Sequence, residues 1–230
     1  MSRPQKVTMS TTGRRARLVD AAIDLIATGG IRALTHRALD AELALPPGSA
    51  SYYFRTKKAL VDAISERVTI RSREDFLASE PMRAIDIDTS TRSDSAIIDR
   101  GTAGVHADTG RIDPDSVAHA VARWLDRLLA ERRNHLIARH ALIVESIGDA
   151  DSRDRLARSL FAVDRARDLF LALETADPDR SAADFVAMVE GAVFDRLAGV
   201  RAGMRAGTDE SVAQLTALLS TYLRGAAHGR

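Results

Sequence analysis

The spacing of prolines around two short amphipathic segments is the strongest constraint on the fold of this sequence. The first segment follows Thr35, which suits an N-cap, and has room for about two helical turns before Pro46. A residue that precedes proline is disfavoured in the helical region, so this helix has to end there. The Pro46–Pro47 pair suits the first turn of another helix, which is short and ends near Phe54. The sequence therefore predicts two short helices joined by a tight turn.

Longer helices flank this pair. Residues 14–28 place apolar side chains at i, i+4, i+7 and i+8, which is one face of a helix, and Gly29 and Gly30 end it. After Thr56, a second suitable N-cap, apolar residues recur every four positions and predict a long helix. Two short helices that pack on longer ones have the geometry of a helix-turn-helix DNA-binding domain.

The rest of the chain predicts only helices. Residues 83–114 are rich in Asp, Ser, Thr and Gly without a sustained period, and we interpret them as a flexible loop. Helical periodicity then returns over residues 115–131, 133–147, 151–174, 182–201 and 209–224, with a break at 176–180 that contains Pro178. The predicted fold class is all-α, with a flexible arm at 1–13, a three-helix helix-turn-helix domain at 14–56 and a helical domain at 57–225.

The last two predicted helices carry apolar stripes. These stripes fit either the chain's own core or the interface of a dimer, and they comprise Phe185, Val189, Ala192, Val212, Leu215, Leu219 and Tyr222.

Charge is distributed unevenly along the chain. The net charge is only +1, but residues 1–60 hold ten Lys and Arg against four Asp and Glu, a local net charge of +6. A basic N-terminal region on a mildly acidic remainder favours nucleic acid as a partner. The absence of cysteine excludes disulfides and thiolate metal sites, and no apolar run reaches the roughly 20 residues that span a membrane. With no secretory signal at the N-terminus, we expect a cytoplasmic protein.

The third helix has the composition of a DNA-reading helix. Residues 48–51 are small, so the helix is slim enough to approach base edges. Tyr52 and Tyr53 bring hydroxyl groups for phosphates and rings for thymine methyl groups. Phe54 is better explained as the residue that anchors this helix to the first one. Arg55, Lys57 and Lys58 lie where cations oppose the helix dipole, which is reasonable if a phosphate backbone lies beside them. Each feature alone also fits ordinary packing or a solvated surface.

Residues 14–60 resemble the N-terminal domain of the TetR family of transcriptional regulators. The resemblance rests on "RRARLVDAAIDLIATGGIRALTHRALDAELAL" followed by "PPGSASYYFRTKKAL". It implies that Thr35, Tyr53 and Lys57 contact phosphate. It also implies that a second set of residues faces the major groove: Arg37, Pro47, Ser49, Ser51 and Tyr52.

Three positions depart from the family pattern. Ala44 stands where the turn between the short helices commonly has glycine, which predicts strain if that position needs a positive φ. Asp40 replaces a small apolar residue, and Ser51 replaces a common tyrosine. Few side chains other than Arg37 remain for bidentate base recognition, so water, methyl contacts or DNA shape are expected to carry part of the specificity.

The resemblance also implies what the remaining helices do. TetR-like proteins are homodimers whose last two helices form the interface, and their C-terminal domain binds a small-molecule effector that controls DNA binding. We therefore expect a repressor that binds palindromic double-stranded DNA as a dimer. Five side chains are candidates for the effector pocket: Trp124, His135, His140, Phe161 and Phe170.

Other functions remain as alternatives. An architectural DNA-binding protein without ligand control is one, although about 170 further residues exceed what that role needs. A helical-bundle enzyme is the other. The sequence has no buried Glu-x-x-His pair, no phosphate-binding glycine loop and no Ser/His/Asp grouping, so we expect no enzyme activity, no cofactor and no metal.

Overall fold

A computed structural model of the chain describes residues 11–78 and 112–228, and every regular element in these residues is helical. The first part contains α1 (Thr11–Gly29), a 3₁₀ turn (Ile31–Ala33), α2 (His36–Glu42), α3 (Ser49–Tyr53) and α4 (Lys57–Leu77). The second part contains α5 (Pro114–Glu131), α6 (Arg133–Glu145), α7 (Ala150–Ala157), α8 (Val163–Ala172), α9 (Pro178–Ala198) and α10 (Asp209–His228). The all-α prediction is confirmed. The predicted arm and the predicted loop fall almost entirely outside the described residues.

The predicted N-caps are present. The hydroxyl oxygen of Thr35 accepts a hydrogen bond from the backbone N–H of Ala38 at 3.0 Å, which caps α2. The hydroxyl oxygen of Thr56 accepts from the N–H of Ala59 at 3.1 Å, at the start of α4. Local chemistry therefore starts both helices where the sequence predicts.

Two proline predictions were wrong in their detail. Pro46 and Pro47 do not open α3 but precede it, because Gly48 adopts the left-handed region (φ 90°) and serves as the N-cap. Pro178 does not lie in a break but opens α9, where Asp177 caps the helix by accepting from the N–H of Arg180.

The predicted helix at 151–174 is two helices. Ser159, Leu160 and Phe161 interrupt it, and all three are buried. Three consecutive side chains cannot all face one side of an α-helix, so the backbone leaves the helical path to bury them.

The described residues form two compact units, divided within α4 after Ile70. The first unit contains the chain up to Ile70 together with Asn134–Ala157. Its core is built on α1, α2, α3 and α4, and Ala138, Leu142 and Leu156 of α6 and α7 belong to the same core. The short helices thus rest on a core larger than three helices alone would give.

The second unit contains Arg71–Arg133 and the chain from Arg158 onward. Here α10 packs along α5, and α9 packs along α8. Rings in edge-to-face contact fill the middle of this unit, with centroid distances of 5.6–5.7 Å from Trp124 to Phe161, from Phe161 to Phe185 and from Phe185 to Phe170. Tyr222 joins the same cluster at 6.0 Å from Phe170.

The strain expected in the turn after α2 is present. Ala44 has φ 50°, in the left-handed region that side chains with a Cβ avoid. Leu43 and Ala44 are the turn, and the N–H of Leu45 bonds back to the carbonyl of Asp40 at 2.7 Å. The hydrogen bond holds the turn closed despite the strain at Ala44.

Ala44→Gly should stabilise the first unit. Relief of the left-handed strain, about 1–2 kcal/mol, exceeds the entropy cost of glycine, about 0.5–1 kcal/mol, so we expect a gain of about 0.5–1 kcal/mol. Urea denaturation of the full chain measures it. Ala41→Gly, inside α2 at ordinary helical φ, is the matched control and should destabilise by about 1 kcal/mol. Equal effects of the two substitutions would show that Ala44 is not strained.

Candidate nucleic-acid interface

The N-terminus of α3 is held by the side chain of Asp40. One carboxylate oxygen accepts from the N–H of Gly48 at 2.8 Å, and the other accepts from the N–H of Ala50 at 2.7 Å. Asp40 is 5% exposed, so its charge is stabilised by these two bonds and by the positive end of the α3 dipole. Gly48 itself provides no side chain for the cap. The residue that seemed out of place in α2 therefore joins the two short helices.

The hydroxyl groups of α3 are already committed as donors. Ser49 donates to the carbonyl of Pro46 at 2.6 Å, and Ser51 donates to the carbonyl of Gly48 at 2.8 Å. Each hydroxyl keeps lone pairs that accept. Toward an outside partner, both serines are therefore better acceptors than donors.

The two tyrosines of α3 have different environments. Tyr52 is 79% exposed, while Tyr53 is half-buried against the core of the first unit. Their rings meet edge to face at 5.3 Å. Tyr53 thus braces the ring of Tyr52 from one side, and only Tyr52 presents most of its surface to solvent.

Phe54 anchors the end of α3, as predicted. Its side chain is buried in the core of the first unit, and the guanidinium of Arg15 lies over its ring at 4.9 Å from the centroid. Arg15 is therefore held close to α3, a contact that the sequence did not suggest.

Exposed cations precede and follow α3 in the sequence. Arg37 and Arg55 are exposed on either side of it in the sequence. The ammonium of Lys57 lies 3.9 Å from the carboxylate of Glu145, an exposed pair that contributes little to stability. Lys58 contacts Asp62 at 3.1 Å and Asp149 at 3.5 Å. The hydrogen bond to Asp62 is the main cause that raises the pKa of Lys58.

The structure brings the predicted DNA-contact residues into one unit, on α2, α3, the turn between them and the start of α4. Pro47 is exposed in that turn, and Thr35 is exposed at the start of α2. The hydroxyl of Thr35 already accepts the capping bond, so its hydrogen remains for a phosphate oxygen. The roles assigned to these eight residues stay predictions.

Sequence reasoning missed Asp40 as the residue that orients α3. The available signal was an acidic side chain next to Leu39, on the face of α2 that enters the core. A carboxylate on a buried face needs donors, and the nearest unsatisfied donors are the first N–H groups of α3.

The five candidate effector residues do not form one group. Trp124, Phe161 and Phe170 belong to the aromatic cluster of the second unit. His135 and His140 lie on α6 in the first unit. In residues 11–78 and 112–228, no three His, Asp or Glu side chains are close enough to hold a metal ion. No helix in the same residues is long and apolar enough to cross a membrane.

The predicted dimer residues lie largely inside the chain. Phe185, Val189, Ala192, Leu215 and Leu219 are buried within the chain itself, and Val212 and Tyr222 are partly buried. The most apolar face of each helix packs into the chain's own core, so these side chains have little surface left for a second copy.

A five-residue helix that is capped from the preceding helix, anchored by Phe54 and flanked in the sequence by exposed cations is typical of a helix-turn-helix DNA-binding protein. Comparison with known families agrees. Residues 18–64 match the family described as bacterial regulatory proteins, tetR family. Residues 112–225 match the tetracyclin repressor-like C-terminal domain. The chain belongs to the TetR family of transcription regulators.

Solved structures share the fold over most of the chain. A transcriptional regulator from Rhodococcus sp. Rha1 is 16% identical with a TM-score of 0.64, covering 94% of this chain and 96% of that one. A TetR-family member from Streptomyces coelicolor A3 is 20% identical with a TM-score of 0.59, covering 89% and 97%. The multidrug binding protein EbrR, complexed with malachite green, is 22% identical with a TM-score of 0.55, covering 89% and 97%. No curated protein matches the chain.

Asp40→Ala should destabilise the first unit and weaken DNA binding. It leaves two N–H groups of α3 without acceptors, at about 1–3 kcal/mol each, so the free energy of unfolding should fall by about 2–6 kcal/mol. Asp40→Asn keeps one acceptor oxygen and should lose about half as much. Chemical denaturation measures both losses, and binding to a selected DNA duplex measures the effect on α3.

Glu42→Gln is the matched control, since Glu42 is an exposed carboxylate on the same helix. It should change neither stability nor DNA binding appreciably. A similar loss for Glu42→Gln and Asp40→Asn would show that Asp40 acts through general charge and not through the cap.

Proposed function

We propose that this regulator is a repressor that binds a palindromic operator as a homodimer and leaves it when a small-molecule effector binds. The observation that carries the DNA-binding part is α3 itself: a slim helix, held at its N-terminus by Asp40, with Tyr52 exposed and cations beside it. A protein that reads chromosomal DNA in this way acts in the cytoplasm.

The contacts divide into two kinds. Thr35, Tyr53 and Lys57 position the domain on phosphates. The residues that face the major groove are Arg37, Pro47, Ser49, Ser51 and Tyr52. Because both serine hydroxyls donate internally, they accept from the amino groups of cytosine or adenine. Arg37 remains the candidate for bidentate recognition of guanine.

Selection of bound sequences from a random duplex pool tests the operator. We expect a palindrome with half-sites about one helical turn, or a multiple of it, apart.

Lys57→Ala should weaken binding to all sequences alike and lower the salt slope by about one, because it removes one phosphate contact. Tyr52→Ala should instead change the base preference at one position of each half-site.

Glu145→Gln is the control for Lys57→Ala, because it should change the affinity for DNA in the opposite direction. Its carboxylate, 3.9 Å from the ammonium of Lys57, competes with phosphate for that charge, so its neutralisation should strengthen DNA binding. An unchanged salt slope for Lys57→Ala would refute the phosphate contact, and failure to enrich any sequence would refute specific recognition.

The exposed faces of α9 and α10 support the dimer. Small or apolar residues on α9 recur at i, i+4, i+7 and i+11 and are exposed: Ala187, Gly191, Phe194 and Ala198. Phe194 is 52% exposed, and Leu218 is exposed on α10. A stripe of small residues around one aromatic ring lets two helix pairs approach closely. We therefore place the interface on this outer face and not on the buried seam.

Gly191→Glu should dissociate the dimer without harming the fold. A Cβ at Gly191 meets no atom within 4 Å, so the protomer accommodates a side chain, and glycine in a helix interior is unfavourable by about 1 kcal/mol relative to alanine. Light scattering should show a monomer, and circular dichroism should show unchanged helicity. Gly148→Glu, where a Cβ also meets nothing within 4 Å, is the control and should remain dimeric. A dimeric Gly191→Glu variant would exclude this interface.

The aromatic cluster of the second unit supports an effector site. We keep Trp124, Phe161 and Phe170 as the effector residues because aromatic side chains suit a flat, largely apolar ligand, which would have to separate rings that now contact each other. A structurally similar protein, EbrR, has been solved with malachite green and with ethidium. Release of the selected DNA by such a ligand distinguishes a repressor from an architectural DNA-binding protein. A regulatory role is also favoured over catalysis, since none of these residues forms an acid, base or nucleophile grouping.

A further inference from the structure

A basic cavity lies in the second unit, and none of the rings of the aromatic cluster lines it. It has a volume of about 400 Å³ and lies between the end of α5, the end of α9 and the segment that joins α9 to α10. Its charged lining residues are Arg133, Arg196 and Arg205, and no acidic side chain lines it. Its volume is in the range of small-molecule sites.

Arg196 is the unusual residue in this cavity. Its side chain is 2% exposed, yet its only hydrogen bond to the described residues is from Nη2 to the carbonyl of Met204 at 3.2 Å. Nε and Nη1 are buried without a partner among those residues. These two nitrogens carry three of the five N–H bonds of the guanidinium. A buried guanidinium with most of its N–H groups unpaired destabilises the folded protein unless an acceptor forms hydrogen bonds with them.

The nearby carboxylates form no hydrogen bond with Nε or Nη1 of Arg196, and both accept from other donors. Asp126 accepts from the N–H of Gly207 at 3.0 Å and from the hydroxyl of Ser211 at 2.5 Å. Asp195 accepts from the N–H of Val200 at 2.9 Å and from Arg201 at 3.0 Å. Burial lowers the pKa of Arg196, and these two carboxylates offset that effect only in part.

A second arginine is fixed beside the first. Arg133 donates from Nη1 to the carbonyl of Arg196 at 3.2 Å and from Nη2 to the carbonyl of Leu197 at 3.3 Å, which caps the end of α9. Its positive charge is therefore held at the cavity wall. Arg205 is exposed on the segment between α9 and α10 and lines the same cavity.

We propose that this cavity binds a small anion that carries a carboxylate or phosphate group, with Arg196 as its central contact. Guanidinium groups bind both kinds of oxyanion through paired, charge-assisted hydrogen bonds. Arg133 and Arg205 add charge at the rim. Because Nε and Nη1 are shielded from solvent, the anion reaches them when residues 203–206 of the lining shift. The site does not rest on the proposed function, and its test contains no DNA.

Isothermal titration calorimetry of the full chain with inorganic phosphate and with acetate, at constant ionic strength in chloride, tests this site. Saturable binding of either probe, one per chain, is expected. Arg205→Gln should weaken it about 10-fold or more, and Arg196→Gln should abolish it. The matched control is Arg201→Gln, which removes an exposed arginine of the same segment that pairs with Asp195 and does not line the cavity. It should bind as tightly as the unmodified chain.

Several results would overturn the proposal. One is no saturable binding of either probe; another is unchanged binding in both Arg196→Gln and Arg205→Gln. If neither probe binds and Arg196→Gln becomes monomeric by light scattering, the missing acceptor is an acidic group of a second copy. Since Arg205→Gln changes an exposed side chain, it keeps the test decisive even if Arg196→Gln fails to fold.

Discussion

The carboxylate of Asp40 is the interaction on which the DNA-binding geometry depends. A helix of five residues is far too short to be stable alone, so α3 needs its orientation from outside. Asp40 supplies it at the N-terminus through the N–H groups of Gly48 and Ala50, and buried Phe54 supplies it at the other end. The turn between them tolerates a left-handed alanine because these two attachments determine where α3 has to lie.

The long helix α4 continues this rigidity along the chain. Arg67 forms a bidentate pair with Asp20 of α1, at 2.9 Å for both bonds, within the first unit. Arg132 forms another with Asp75 of α4, at 2.9 and 3.1 Å, within the second unit. Paired Arg–carboxylate contacts restrict direction as well as distance. Each unit therefore holds its own part of α4 firmly.

Sequence patterns predicted the features that depend on nearby residues. The caps at Thr35 and Thr56 and the strain at Ala44 follow from chemistry within a few positions. Contacts between distant residues were harder, since a carboxylate eight to ten residues from its donors leaves no periodic signal. The apolar stripe on α9 fits either a core face or an interface, because periodicity shows that a face is apolar but not which neighbour covers it. In the structure, the most apolar face of α9 packs in the core, and a stripe of smaller residues on the same helix is exposed.

The arrangement of α3 separates affinity from specificity. In the proposed complex with DNA, cations close to it in the sequence, including Lys57 and Arg55, would contact phosphates that every sequence presents. The hydroxyl groups of Ser49 and Ser51 donate to backbone carbonyls, so only their lone pairs are left to bond to bases. The exposed ring of Tyr52 offers an apolar surface as well as one hydroxyl. Such a surface favours amino groups and thymine methyl groups over the acceptors of guanine. In the proposed complex, recognition of guanine would fall to Arg37 on α2, so the two short helices would read different chemical features of the same half-site.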